Sequence, residues 1–317
     1  MTYKILVSDG LADGGVARLR TAGEVMVNPK ITADELLAVV PEYDALLVRS
    51  RTRVTAQVAE AGSAGRLRVI GRAGVGVDNI DVVAAVARGI TVVNSPAAAT
   101  VAVAELTLGL MLALARQIPA ADASLKQGRW EKSALMGGEL SGKTLGLCGI
   151  GRIGTQVAQR AAAFGMTVLA YDPQRTVEQI RQRHAKPATF DEVLTRSDYL
   201  SLHLPLTSAT RELIGPNEIA RMKNGARLIC TARGRIIDED ALRAALDSGH
   251  LAGAALDVFA QEPPPTDGIA AHPKVIATPH IGAQTAEAQA RAGLAVAEEV
   301  LAVLQGKQPR WSVTSNG

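Results

Sequence analysis

Aromatic side chains make up only 3% of this 317-residue sequence, which also holds just two cysteines and five histidines. So few aromatics argue against the stacking platforms that hold sugars and single-stranded nucleic acids. Neither charge sign dominates: the formal net charge is +3 and the basic residues are scattered. No polyanion-binding stripe is present, and no nucleic-acid partner is expected. Cys148 and Cys230 each lie inside an apolar run that reads as a buried strand. A disulfide would require two such strands at bonding geometry, and a metal site would need more ligands nearby. Two free core thiols in a reducing cytoplasm, with no metal, are the expectation. Long apolar runs are lacking too. The stretch 101–115 contains Glu105 and falls short of the ~20 residues that span a bilayer. The first residues, Met1-Thr2-Tyr3-Lys4-Ile5-Leu6-Val7, enter a strand pattern directly, without a signal peptide. A soluble, cytoplasmic protein with no membrane contact is expected.

What the sequence does have is Ala, Val, Leu and Ile, in short runs that alternate with helical patterns. The length suits two domains. Strands are predicted at 5–7, 25–27, 45–48, 69–70 and 91–93, with amphipathic segments between them. Thr32 and Glu35 form a capping box, and Gly89 sits where a helix C-cap is expected. This alternation predicts an α/β fold with a doubly wound parallel sheet that closes near Pro96. A helix over 101–116 follows, then a segment without clear strands from 117 to 142. From Lys143 a second alternating unit begins, with strands at 144–148, 167–171, 199–202, 226–231, 252–258 and 275–278. A last helix, 283–304, is long enough to leave the second unit and return to the first. Pro263-Pro264-Pro265 reads as a stiff surface loop.

The strand 144–148 leads into Gly149-Ile150-Gly151-Arg152-Ile153-Gly154, and an apolar helix follows. Glycine at 149 permits the tight turn. At 151 it lets backbone approach a pyrophosphate, and at 154 it lets helix pack on strand. The helix N-terminus then offers free N–H groups to the phosphates. Asp172 ends the next strand, close to the ~20-residue spacing of a dinucleotide fingerprint. Its carboxylate suits the adenosine ribose hydroxyls and repels a 2′-phosphate, favouring NAD over NADP. Arg175 softens that preference.

Hydride transfer from a hydroxyl carbon needs a base for the proton and a cation for the substrate. In an open α/β sheet, both belong beyond the carboxyl ends of strands. Arg233, Glu262 and His280 occupy such places, and so does His203. By position alone His203 and His280 are level as the base. His184, His250 and His272 read as surface or loop residues.

These motifs together resemble the D-2-hydroxyacid dehydrogenases. The similarity rests on Gly149–Gly154, Asp172, Thr231-Ala232-Arg233-Gly234, Asp257-Val258-Phe259-Ala260-Gln261-Glu262-Pro263 and Thr278-Pro279-His280-Ile281-Gly282-Ala283, in order over almost the whole chain. Within the family the chain is most similar to members that oxidise D-3-phosphoglycerate. That similarity lies in Val48-Arg49-Ser50-Arg51-Thr52, in Gly71-Arg72-Ala73-Gly74-Val75-Gly76-Val77-Asp78-Asn79, and in Ala115-Arg116-Gln117-Ile118-Pro119.

The resemblance implies two doubly wound parallel-sheet domains. A Rossmann NAD domain (97–286) is inserted in a flavodoxin-like substrate domain (1–96 plus 287–317), and the helix 101–116 with the arm after it serves dimerisation. It implies that His280 takes the C2 hydroxyl proton, that Glu262 pairs with it and favours the imidazolium, and that Arg233 binds the substrate carboxylate and C2 oxygen. Gly149, Gly151, Arg152, Ile153, Gly154, Asp172, His203, Pro205, Thr231, Asp257 and Gly282 are implied to line the cofactor, with Asp257 meeting the nicotinamide carboxamide. The backbone of Gly74, Val75 and Gly76 is implied to hold the substrate carboxylate, and Arg49 and Arg72 the phosphate.

The pattern also departs from the family. Cys230 falls where an asparagine is usual, Ala97-Ala98-Ala99 replaces polar groups, and Val75 stands for a threonine. These changes leave hydride chemistry intact and bear on the substrate. The expected activity is oxidation of D-3-phosphoglycerate with NAD, in serine biosynthesis. The alternatives are reduction of hydroxypyruvate or glyoxylate, and an NAD-sensing scaffold that binds protein partners. The sequence stops at Gly317 before any regulatory domain, so serine feedback is not expected. A homodimer, or a tetramer formed from two such dimers, is the expected assembly.

Overall fold

Short runs of Val, Ile, Leu and Ala make strands that can be covered on both faces, as parallel sheets require. In the computed structural model, which describes residues 2–314, these runs form β1 (Tyr3–Val7), β2 (Gly23–Val27), β3 (Ala45–Val48), β4 (Val69–Arg72), β5 (Thr91–Asn94), β6 (Thr144–Cys148), β7 (Thr167–Tyr171), β8 (Lys186–Pro187), β9 (Tyr199–Leu202), β10 (Ala226–Cys230), β11 (Leu251–Leu256), β12 (Val275–Ala277) and β13 (Ser312–Val313). The chain divides into two units, Met1–Thr100 with Ala283–Gly317, and Val101–Gly282.

The first unit is built on a six-stranded sheet in the order β13-β5-β4-β3-β1-β2. Every pair is parallel except β13 with β5. Alternate residues of β1 serve opposite cores. Leu6 packs with Leu36, Leu46 and Ile70 on one face. Ile5 and Val7 pack with Val296 and Val300 on the other. The second unit holds a seven-stranded, wholly parallel sheet in the order β12-β11-β10-β9-β6-β7-β8. Here Leu228 and Cys230 face one core and Ile229 the other. Both sheets have the α/β architecture that the alternation predicts.

Local signals fix the helix ends. Thr32 Oγ1 accepts from the Glu35 N–H at 3.2 Å while Glu35 accepts from the Thr32 N–H at 2.8 Å, which is the predicted capping box. Gly89 follows the helix Val82–Ala87 with φ +75°, and its N–H satisfies the Val86 carbonyl.

Several boundaries differ from expectation. The segment 117–142 contains a helix, Ile118–Lys126, which Gln117 at φ +51° separates from the preceding Thr100–Arg116. The last helix begins at Ala286, because the Thr285 hydroxyl caps it by accepting from the Ala288 N–H. Strands β8 and β13 are two residues long, too short to show a period in sequence. His272, read as a surface or loop residue, lies in the loop before β12 and is buried there. Its Nδ1 accepts from the Lys274 N–H and its Nε2 faces Asp247 at 3.1 Å. Both cysteines are free and buried, and burial pushes their thiols up to about 12 (Cys148) and about 11 (Cys230).

Among the described residues no single helix is long and apolar enough to cross a membrane. Thr100–Arg116 and Ile118–Lys126 would reach that length only as a pair bent by 64°. The first of them spends its apolar face in the core of the second unit, through Ala104, Leu108, Met111 and Ala115.

The helix Ala286–Leu304 lies over β4 at Gly71, where a Cβ would come within 2.6 Å of Val300 Cγ2 and 2.9 Å of Val296 Cγ2. Gly71→Ala should therefore destabilise the first unit by about 1–3 kcal/mol, the usual cost of overpacking. Urea denaturation should also show that Val300→Ala, which vacates the space, lowers the cost of the glycine substitution.

Candidate functional site

The seven-stranded sheet reverses its order at β6, with β7 on one side and β9 on the other. Ligands of open α/β sheets bind outside the carboxyl ends of the strands at such a reversal. There the chain leaves β6 through Gly149, which has φ +93° and whose added Cβ would lie 2.6 Å from the His203 carbonyl oxygen. A Cβ at Gly154 would overlap the Gly149 carbonyl oxygen, whereas one at Gly151 would meet nothing within 4 Å. The first and third glycines are thus demanded by packing, and the second leaves the backbone open to a ligand. Gly151 precedes the helix Arg152–Ala163 without a side-chain cap, and an uncapped helix N-terminus suits an anion. Asp172, just past β7, accepts from the Ile150 N–H and the Gln174 N–H, both at 2.9 Å. An open cradle at Gly151, an uncapped helix end and a carboxylate on the next strand fit a dinucleotide.

His203 follows β9. Its Nε2 lies 3.0 Å from Ser201 Oγ, and its Nδ1 is buried with no hydrogen-bond partner among the described residues. Desolvation pushes this imidazole down to about 4. A ring that stays neutral at pH 7 is a poor proton donor, and the backbone carbonyl of His203 packs against Gly149. Pro205 is exposed, and its carbonyl accepts from Thr210 Oγ1 at 2.6 Å. Thr231, just past β10, is buried with its hydroxyl 3.0 Å from that of Thr107.

Loops leaving β10, β11 and β12 carry the remaining candidates of this unit. Arg233 is half-buried, and its Nη1 donates to the Ala232 carbonyl at 2.7 Å. Gly234 packs directly on the Phe259 carbonyl, where a Cβ would overlap it. Glu262 Oε2 lies 2.8 Å from His280 Nδ1, and Glu262 Oε1 accepts from the Phe259 N–H at 3.2 Å. Exposed as it is, the Glu262–His280 pair adds little stability. Its effect is orientation: Nδ1 is taken by the carboxylate, so Nε2 is the nitrogen left for other chemistry. Asp257 is almost fully buried. It accepts from the Thr278 hydroxyl at 2.6 Å and from the Ile281 and Gly282 N–H groups, each at 2.8 Å.

In the first unit, Arg49 follows β3, and Arg72 closes β4. Arg49 Nη2 lies 3.4 Å from Gln284 Oε1. Gly74, at φ +149°, has the Arg72 guanidinium where a Cβ would stand. The arginine therefore lies against the Gly74-Val75-Gly76 turn, which Asn94 ties down by donating to the Val75 carbonyl at 2.6 Å. Ala98 and Ala99 are buried, so these two departures from the family pattern are packing positions.

Sequence reasoning missed the residues that hold these loops. Asp9, two residues past β1, accepts from the N–H groups of Arg49 (2.7 Å) and Thr52 (3.0 Å) and pairs with Arg51 at 3.2 Å. Asn79 Nδ2 bridges the carbonyls of Arg49 and Thr52 at 3.0 and 2.6 Å. Glu239 accepts from the Ala260 N–H at 2.6 Å, and Arg235 Nε donates to the Ala260 carbonyl at 3.0 Å, joining the Arg233 loop to the Glu262 loop. An acid just beyond an apolar strand is a signal that could have found Asp9. Nothing local marks the others.

His203 also makes stability depend on pH. The unfolded ring takes up a proton near 6.5, and the folded one only near 4. The stabilisation is thus present above about 6.5 and is lost as pH falls towards 4. Chemical denaturation at pH 7 and pH 5 should show the second unit weakening on acidification, and His203→Gln should reduce that slope.

Comparison with known proteins identifies the family. Residues 108–282 match the model for the D-isomer specific 2-hydroxyacid dehydrogenase NAD binding domain. A D-3-phosphoglycerate dehydrogenase of Methanocaldococcus jannaschii is 50% identical over 305 residues, covering 96% of this chain and 58% of the relative. The chain spans about half the length of the curated phosphoglycerate dehydrogenases it matches. A hydroxypyruvate reductase of Thermotoga maritima is 48% identical over 303 residues, covering 94% of this chain and 97% of the relative. The structure of a glyoxylate reductase from Paecilomyes thermophila superposes with a TM-score of 0.89 at 31% identity, covering 100% of this chain and 99% of that one. The chain belongs to the D-isomer-specific 2-hydroxyacid dehydrogenase family and carries its NAD-binding domain.

Proposed function

We propose that this chain is an NAD-dependent dehydrogenase that oxidises D-3-phosphoglycerate to 3-phosphohydroxypyruvate, a step of serine synthesis. The observation that carries the chemistry is the 2.8 Å contact between His280 and Glu262, on neighbouring loops of one sheet edge. His280 Nε2 takes the C2 hydroxyl proton as the alcohol is oxidised, and Glu262 stabilises the imidazolium that results. Arg233 holds the substrate carboxylate and the C2 oxygen through charge-assisted hydrogen bonds. NAD, when bound, would accept the hydride that leaves C2, so that hydroxy acid and NAD give keto acid, NADH and a proton. The glycine loop, the uncapped N-terminus of Arg152–Ala163 and Asp172 are the groups that hold it.

The substrate reading rests on two arginines. Arg49 and Arg72 follow adjacent strands, and Arg72 lies against the Gly74–Gly76 turn whose backbone is proposed to take the carboxylate. A cation against that turn, with a second on the loop after the adjacent strand, suits an acid that also carries a phosphate. In this reading residues 1–96 with 287–317 are the substrate domain and 97–286 the nucleotide domain. The alternative is reduction of hydroxypyruvate or glyoxylate. The Thermotoga relative, named a hydroxypyruvate reductase, favours it at an identity near that of the phosphoglycerate dehydrogenases.

The arm that contains Ile118–Lys126 is proposed to pair two copies of the chain. It leaves Trp130, Met136 and Leu125 more than half exposed, at 81%, 84% and 59%. Exposed side chains of this size suit an interface better than water.

NADH oxidation with phosphohydroxypyruvate, hydroxypyruvate, glyoxylate and pyruvate in parallel tests the reading. Phosphohydroxypyruvate should be preferred, and Arg49→Ala or Arg72→Ala should abolish that preference. Equal or better rates with unphosphorylated acids would leave the reductase reading. His280→Ala should lower turnover by about 10²–10⁴-fold with NADH binding nearly unchanged. Light scattering should show a dimer that Trp130→Ser with Met136→Ser weakens.

A further inference from the structure

Three residues that bracket His280 all bond to one buried carboxylate, and this is the feature the proposed chemistry does not use. Asp257 directly follows β11, is 1% exposed, and is held at its own N–H by the Cys230 carbonyl at 2.9 Å. Its Oδ1 accepts both the Thr278 hydroxyl and the Ile281 N–H, and its Oδ2 accepts the Gly282 N–H. The loop thus bonds to Asp257 two residues before His280 and one and two residues after it. Between those anchors His280 sits at φ +52°, a left-handed conformation that costs a non-glycine residue free energy, and its own N–H closes a tight turn to the Thr278 carbonyl at 2.9 Å. Such a backbone persists only where the surroundings over-determine it. The surroundings here are the Asp257 carboxylate and the packing at Gly282, where a Cβ would lie 3.1 Å from Asp257 Oδ2 and 3.2 Å from Val103 Cγ2.

We infer that Asp257 is a positioning residue that clamps the His280 loop in its left-handed turn and so sets the imidazole on Glu262. The inference rests on His280 as the acid/base. Its physical core is that a carboxylate with no proton to give can accept three bonds at once, whereas an amide at the same place would present two donors to donors. One acceptor position on Oδ2 remains for a cofactor group, so most of the carboxylate's hydrogen-bonding capacity goes to the loop. The bonds hold the reacting nitrogen in place, and a displacement of about 1 Å there is enough to cost about 10²-fold in rate.

The test compares Asp257→Asn, Thr278→Val and Thr278→Ser with the full chain, using NADH and phosphohydroxypyruvate. Asp257→Asn should lower kcat about 10²-fold, a loss larger than any accompanying rise in the dissociation constant of NADH, read by its fluorescence. Thr278→Val removes one of the three bonds and keeps the fold safe, and should lower kcat about 3–10-fold. Thr278→Ser keeps the hydroxyl and should restore most of that loss. Amide hydrogen exchange at Ile281 and Gly282 should quicken in Asp257→Asn relative to the original chain. The clamp is overturned if those amides stay protected, or if Asp257→Asn weakens NADH binding as much as it lowers kcat/KM and leaves kcat intact. Should His280→Ala retain turnover, the acid–base reading falls, and the exchange measurement still decides the clamp by itself.

Discussion

A chain that leaves a sheet into a loop carries N–H groups that no ladder satisfies, and burying them without acceptors costs more than most contacts return. In this protein an aspartate just past a strand repeatedly supplies the acceptor. Asp9 does so after β1 for Arg49 and Thr52, Asp172 after β7 for Ile150, and Asp257 after β11 for Ile281 and Gly282. In each case the donor lies on a different loop at the carboxyl edge of the same sheet. The carboxylate therefore does two things: it satisfies backbone, and it fixes the distance between a strand and the neighbouring loop that carries a functional residue.

Parallel pairing makes this possible. When strands run the same way, their carboxyl ends share one edge, and the loops that follow them are neighbours in space though far apart in sequence. Arg233, Glu262 and His280 follow three adjacent strands, β10, β11 and β12. The ties through Arg235 and Glu239 to Ala260 join the first loop to the second, and the Glu262–His280 contact joins the second to the third. An exposed pair adds little stability, but it fixes which ring nitrogen of His280 faces the carboxylate and which is left over.

Burial separates the two histidines that position alone leaves level. His203 is turned under the glycine loop, where desolvation keeps it neutral, and its carbonyl is what a Cβ at Gly149 would strike. His280 is exposed and has a carboxylate at 2.8 Å. The same residue type, one place past a strand and three places past one, ends in opposite environments because of what packs around each loop.

Much of this was legible in the amino acids. The alternation of apolar runs and amphipathic segments specifies the α/β class, since a strand without a polar face must be covered on both sides. The spacing of Gly149, Gly151 and Gly154 after a strand, with Asp172 after the next, marks the candidate dinucleotide loop: packing demands the first and third glycines, and the second leaves the backbone open. Capping at Thr32 and Gly89 is local in the same way. Tertiary structure alone decided the rest: which histidine stays neutral, that His272 is buried, and that Asp257 bonds to both flanks of His280. Those facts depend on loops brought together by strand order, a contact between distant parts of the chain that no local pattern of residues encodes.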